Sequence, residues 1–298
     1  KIYQGFDTET DELGNIVVVA TDTRYARVNT FAQFLKFMAV KDYKRSIFWT
    51  WNLQFDAEGI IKMALREYAY DDTWREASAQ IMKGSERDDS GRPIKGTEGW
   101  RFTIPELGDV KIFYIKSKML SIEFYTVPEG CRKKRKFDFL FYDIAQFYGH
   151  KSLDSCAKKY LKKQKEDYGG WVNKVRRVQN NLMSRGELIG YLDRNWSKVG
   201  DYCKRDAELT LGLTYCMKEG YEDAGVPFKK PLSQASIAGA YIDFWCRPPK
   251  PKPKPEELKG EQRDPKKPKG EQREPEELKG EQRDPKKLIR GYPKIFEG

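Results

Sequence analysis

Residues 1–23 read KIYQGFDTETDELGNIVVVATDT, and the fold turns on what "FDTET" does within them. Ile2 to Phe6 and Asn15 to Thr21 have the apolar, β-branched make-up of strands, and DELGN between them is a turn-forming string. In a strand, residues i and i+2 point to the same face, so Asp7 and Glu9 would sit side by side. Like charges that close repel, and burial makes the repulsion worse. Either the strand has ended and both acids are solvated turn residues, or opposite charge is meant to lie between them. The rest of the chain has to decide.

Outward from this hairpin, YARVNTF reads as a third strand, and TFAQFLKFMAV as a helix with Thr30 as N-cap. SIFWTW is a short buried strand. FDAEGIIKMALREYAY is a helix with Ile60, Ile61, Ala64 and Leu65 on one face. Residues 83–99 form a polar loop, WRFTIPELGDVKIFYIKSKMLSIEFYTVP suggests β-hairpins, FDFLFYDI is another buried strand, and SLDSCAKKYLKK a short helix. Helices follow around 184–219 and 233–246. This order predicts an α/β protein: a mixed sheet, antiparallel at its start, flanked by helices on both faces, as in a ribonuclease-H-like fold.

Composition changes abruptly after Cys246. Residues 250–287 carry 13 Lys/Arg and 10 Asp/Glu and almost nothing apolar, too little to offset the entropy of ordering. PEELKGEQRDPKK occurs at 255–267 and again at 275–287, and KGEQR recurs at 259, 269 and 279. The expected organisation is a domain at 1–247, a disordered, charged, Pro-rich repeat linker at 248–287, and at 288–298 (LIRGYPKIFEG) the start of a further segment. The chain lacks an initiator Met, so it is read as a fragment. The net charge of +11, mostly on the folded part, favours a polyanion partner, nucleic acid first. Five cysteines with no C-x-x-C point to reduced thiols and a cytosol-like, cytoplasmic setting. A single histidine, His150, argues against a Cys/His zinc site. No apolar run is long enough to cross a membrane.

Two further acids stand in suggestive strings. Asp56 closes N-L-Q-F-D at the start of a helix, where a routine N-cap is the alternative. Asp206 follows Tyr202 by four, so the two share a helix face. Taken in order, D-x-E, N-x-x-F-D and Y-x-x-x-D form a combined signal. Four carboxylates brought together need compensating charge, which divalent metal supplies; hard oxygen ligands favour Mg2+ or Mn2+. Two such ions, about 4 Å apart, serve phosphodiester hydrolysis.

This arrangement resembles the DEDD 3′→5′ exonucleases, most closely the proofreading domain of family-B DNA polymerases of the protein-primed phage and mobile-element type. FDTET, NLQFD and YCKRD look like their three exonuclease motifs, over roughly residues 1–246. The resemblance implies two divalent cations, Mg2+ or Mn2+, with Asp7, Glu9 and Asp206 as ligands. Asp56 would act through an intervening water, and Tyr202 would orient the attacking water. Lys165, in KEDY, would stand near the scissile phosphate. Asn52 and Phe55 would hold the last nucleotides of a single-stranded or frayed 3′ end, with Thr8 touching the terminal one. A histidine five residues before the last acid marks the other version of this superfamily; Asp201 stands there, so the tyrosine version fits.

Departures accompany the likeness. IAQ follows Asp143 where the branch carries a Ser/Thr-Leu pair, and Asp143 itself is read as a strand-end residue with supporting duties. No D-x-x-SLYP or Y-x-DTD motif occurs, so a polymerase domain would have to be supplied in cis or in trans. CRKKRKF (131–137) fits both a phosphate-binding arm and a solvated turn, and WVNKVRRVQNN either a nucleic-acid contact or a basic helix face. Phe48 belongs to a buried core. Trp49 and Trp51 share the opposite face, open either to base stacking or to the core. A ribonuclease-D-like RNA exonuclease and a non-catalytic basic binding module remain as alternative functions.

Overall fold

The computed structural model describes residues 2–242 apart from 44–45, 70–72, 95–96, 106, 128–132, 134, 164–168, 227, 229–234 and 240–241. The chain divides into units of Lys1–Phe244 and Trp245–Gly298, and the second lies outside the described residues, with the repeats and the terminal segment. Most of the helix expected at 233–246, and part of the CRKKRKF string, also lie outside them.

The strand that begins at Tyr3 does not end at Phe6. β1 (Tyr3–Thr10) runs on through both acids, because Asp7, Thr8 and Glu9 pair with Ala20, Val19 and Val18 of β2 (Ile16–Thr21). The solvated-turn reading of Asp7 and Glu9 is therefore wrong: the register shifts only between Glu9 and Thr10, after the acids. β3 (Tyr25–Arg27) extends the meander. Helix α1 (Phe31–Met38) starts where expected, with the Thr30 hydroxyl accepting from Gln33 N at 3.1 Å. The chain then returns to the sheet as β4 (Ile47–Thr50), parallel to β1 and wholly buried.

Helix α2 (Leu53–Tyr68) follows, burying Leu53, Ala57, Ile60 and Ala64. Ile61 and Leu65, expected on that face, flank it half-buried. Sequence reading missed α3 (Trp74–Ile81), which buries only Ala77 and Ile81, too few apolar positions to show a period. β5 (Trp100–Ile104), β6 (Gly108–Ile115) and β7 (Met119–Thr126) form the antiparallel hairpins, and β8 (Arg135–Asp143) lies between β7 and β4, parallel to β4. The sheet has eight strands in the order β3-β2-β1-β4-β8-β7-β6-β5. Helices α4 (Leu153–Cys156, continued as a π-helical turn to Leu161), α5 (Gly169–Gln179), α6 (Arg185–Arg194) and the 28-residue α7 (Trp196–Asp223) complete an α/β fold compatible with a ribonuclease-H-like one.

Strand alternation sends side chains into separate cores. Phe6, Phe48 and Phe141 pack with α1 and α2 on one face, where Phe6 meets Phe141 edge-on at 4.9 Å. Ile47, Trp49 and Tyr142 meet Leu209 and Leu213 of α7 on the other. Val18 and Ala20 cover a third cluster with Trp171, Leu188, Val199 and Cys203. Helix α7 crosses β1 so closely that a Cβ on Gly5 would stand 1.8 Å from the Ala207 carbonyl oxygen. A second close approach, Gly200 against the Tyr25 ring, seats the same helix on β3.

Candidate functional site

The close crossing at Gly5 and Ala207 brings one face of β1 against one face of α7. Two positions further along β1 is Asp7, and four positions before Ala207 is Cys203. An oxygen of Asp7, an oxygen of Glu9 and the Cys203 sulfur lie within 4.8 Å of one another. The fully enclosed thiol donates to Asp7, and burial pushes its pKa well up, helped by the charges of Asp7, Glu9 and Asp206. That influence places Asp206, 4 % exposed, in the electrostatic field of the same group. Tyr202 is also buried, one helical turn from Asp206 on the same side of α7. Residues some 200 positions apart are thus gathered by one strand–helix crossing.

Asp56 comes from the other side of β1. Thr8 alternates with the two acids, so it points toward α2, and its hydroxyl donates to Asp56 Oδ1 at 2.7 Å. Asp56 is not the N-cap: α2 begins at Leu53, and Asp56 lies inside the first turn, 3 % exposed. Burial raises its pKa to about 7; the Thr8 hydrogen bond opposes the rise and the charge of Asp143 adds to it. Asp143 ends β8 beside Thr50 of β4. Its Oδ1 accepts from Asn52 N at 3.1 Å and Ala145 N at 2.8 Å. Burial raises its pKa too, and those N–H donors, with His150 nearby, hold the rise down. Asp143 therefore ties the end of β8 to the start of α2, the supporting duty expected for it.

The four-acid signal resolves into two neighbouring groups. Asp7 and Glu9 stand at Cys203 on the α7 side, with the charge of Asp206 acting on the same thiol, and Asp56 and Asp143 lie on the α2 side, where Asp56 accepts from Thr8. Thr8 is expected to touch the terminal nucleotide; its hydroxyl is engaged by Asp56. Asn52 adopts a left-handed conformation (φ 69°, ψ 63°) just before α2 and makes no side-chain capping bond. Phe55 is 71 % exposed in the first turn of α2. Trp51 is half-buried and tilted on Tyr148. Trp49 requires a correction: it is 0 % exposed, enclosed by Tyr142, Phe147 and Phe228, and is core rather than a base-stacking surface. Lys165 lies outside the described residues. Cys203 is the site residue that sequence reading passed over, although its i, i+3 spacing to Asp206 was there to be used.

Cys156, Cys203 and Cys216 are buried free thiols. Among the described residues, no helix is long and apolar enough to cross a membrane. Compared with family models, with curated proteins and with solved structures, the chain finds no match in any of the three.

Proposed function

We propose that this chain is a metal-dependent 3′→5′ exonuclease acting on single-stranded or frayed DNA ends. In this reading it is the ribonuclease-H-like proofreading part of a protein-primed-type family-B polymerase. The observation that carries the reading is the meeting of Asp7 and Glu9 at the Cys203 thiol, on which the charge of Asp206 also acts. Their hard oxygens suit Mg2+ or Mn2+, and two neighbouring carboxylates would gain compensating charge from such a cation. When bound there, two such ions would polarise the scissile phosphodiester and supply a nucleophile at neutral pH.

The chain's own residues do the rest. The protonated thiol of Cys203 donates to Asp7 and fixes the orientation of that carboxylate. Tyr202 brings a hydroxyl one turn from Asp206, suited to orienting the attacking water. Asp56 is held by the hydroxyl of Thr8, the residue between the two β1 acids. Phe55 offers an exposed ring for the terminal base.

The test is digestion of a 3′-labelled oligodeoxynucleotide. Wild-type protein is expected to shorten it with Mg2+ or Mn2+ and not in chelator. Asp7→Ala and Asp206→Ala are each expected to abolish shortening while keeping the wild-type circular dichroism spectrum. Tyr202→Phe is expected to slow it about tenfold, the worth of one hydrogen bond. Undiminished digestion by Asp7→Ala would refute the assignment.

A further inference from the structure

The acids do not use the outer side of α2, where a cavity of about 620 Å³ opens between α2, α3 and the end of β6. Its α2 wall is a stripe at helical spacing, from Glu58 through Lys62 and Arg66 to Ala69. That stretch rises roughly 16 Å along the axis. Phe55 lies on the same stripe, one turn nearer the start of α2.

The floor is apolar and open. Ile61 and Leu65 supply its α2 side, and Trp74 and Met82 its α3 side, the last two 49 % and 56 % exposed. The rim is cationic. Lys62 Nζ donates to the Leu13 carbonyl and Arg66 to the Asn29 carbonyl, contacts that hold the two side chains in place. Glu67 approaches Arg66 at 3.6 Å. Lys116, exposed at the end of the β6–β7 hairpin, completes the rim. Among the lining residues Glu58 is the one acid, placed at the end nearest the site and held by Gln54 Nε2 at 2.8 Å.

An apolar floor with an exposed indole, flanked by cations in a line, matches the two-part chemistry of a single nucleic-acid strand: bases that stack and phosphates that need counter-charge. We propose that this groove is the track for the single strand behind the 3′ end, with Trp74 and Met82 under the bases and Lys62, Arg66 and Lys116 along the phosphates. The direction of travel rests on the exonuclease reading; the binding itself does not.

Anisotropy of a fluorescent twelve-nucleotide oligo(dT), titrated with the full chain in chelator, tests the groove without any hydrolysis. The combined Trp74→Ala, Lys116→Glu variant, altered at exposed positions, is expected to bind at least tenfold more weakly. Its salt dependence should fall by about 0.7 in log–log slope or more, since a phosphate contact is lost. Lys158→Glu, the same charge reversal on the π-helical turn after α4, across the sheet, is the control and should weaken binding far less. Binding by the groove variant equal to wild type, or to the Lys158→Glu control, overturns the proposal. So does preferential, groove-dependent binding of an oligoglutamate peptide. Because no metal is present, a protein that never cuts DNA can still bear the groove out. Conversely, metal-dependent cutting lost in Asp7→Ala, with oligo(dT) binding indifferent to Trp74 and Lys116, removes the groove and leaves the nuclease.

Discussion

At the scale of single residues, the site depends on an atom that is missing. Gly5 has no side chain, and a methyl group there would penetrate the Ala207 carbonyl of α7. The contact is with backbone, which cannot swing aside as a long side chain can. Gly5→Ala is therefore expected to cost about 3 kcal/mol or more in urea unfolding, at the upper end of overpacking penalties. The same variant should lose nuclease activity beyond its loss of folded protein, since the helix carrying Tyr202, Cys203 and Asp206 must back away from Asp7 and Glu9. Activity per folded molecule at the wild-type level would show that this crossing does not set the site.

At the scale of elements, α2 is aimed by a residue it does not contain. Asp143, at the end of β8, accepts the N–H groups of Asn52 and Ala145 on one oxygen, and Asn52 takes up a left-handed backbone immediately before the helix. Removing the carboxyl strands buried donors, each worth about 1–3 kcal/mol. Asp143→Ala is expected to lower unfolding free energy by roughly 2–6 kcal/mol. Asp143→Asn keeps an acceptor oxygen and should recover most of that in the same denaturant titration. Equal losses for the two variants would mean that the charge, and not the acceptor, holds the junction.

At the scale of the whole molecule, three apolar clusters account for the described fold, and all of them draw on residues before 230. The charged repeats offer at most one leucine per unit. A chain ending at residue 247 is thus expected to unfold within about 2 °C of the full chain, and to keep its metal-dependent activity if it has one; a calorimetric scan of both checks this. A drop of 10 °C would assign the repeats a structural part that their composition does not suggest.

Periodicity and punctuation in the sequence were enough to determine the alternation of strands and helices and the Thr30 cap, because these are local effects of neighbouring side chains on one backbone. Ile61 and Leu65 looked core-facing and α3 went unseen for the same reason: a helix face is chosen by what packs against it. Only the tertiary structure decided that β1 continues through Asp7 and Glu9, that Trp49 is sealed in a core, that Cys203 stands among the acids, and that Asp56 reaches Thr8 from the opposite side. Each of these follows from strand register or from the approach of α7 at Gly5, and contacts between residues 200 positions apart leave no periodic trace in the chain.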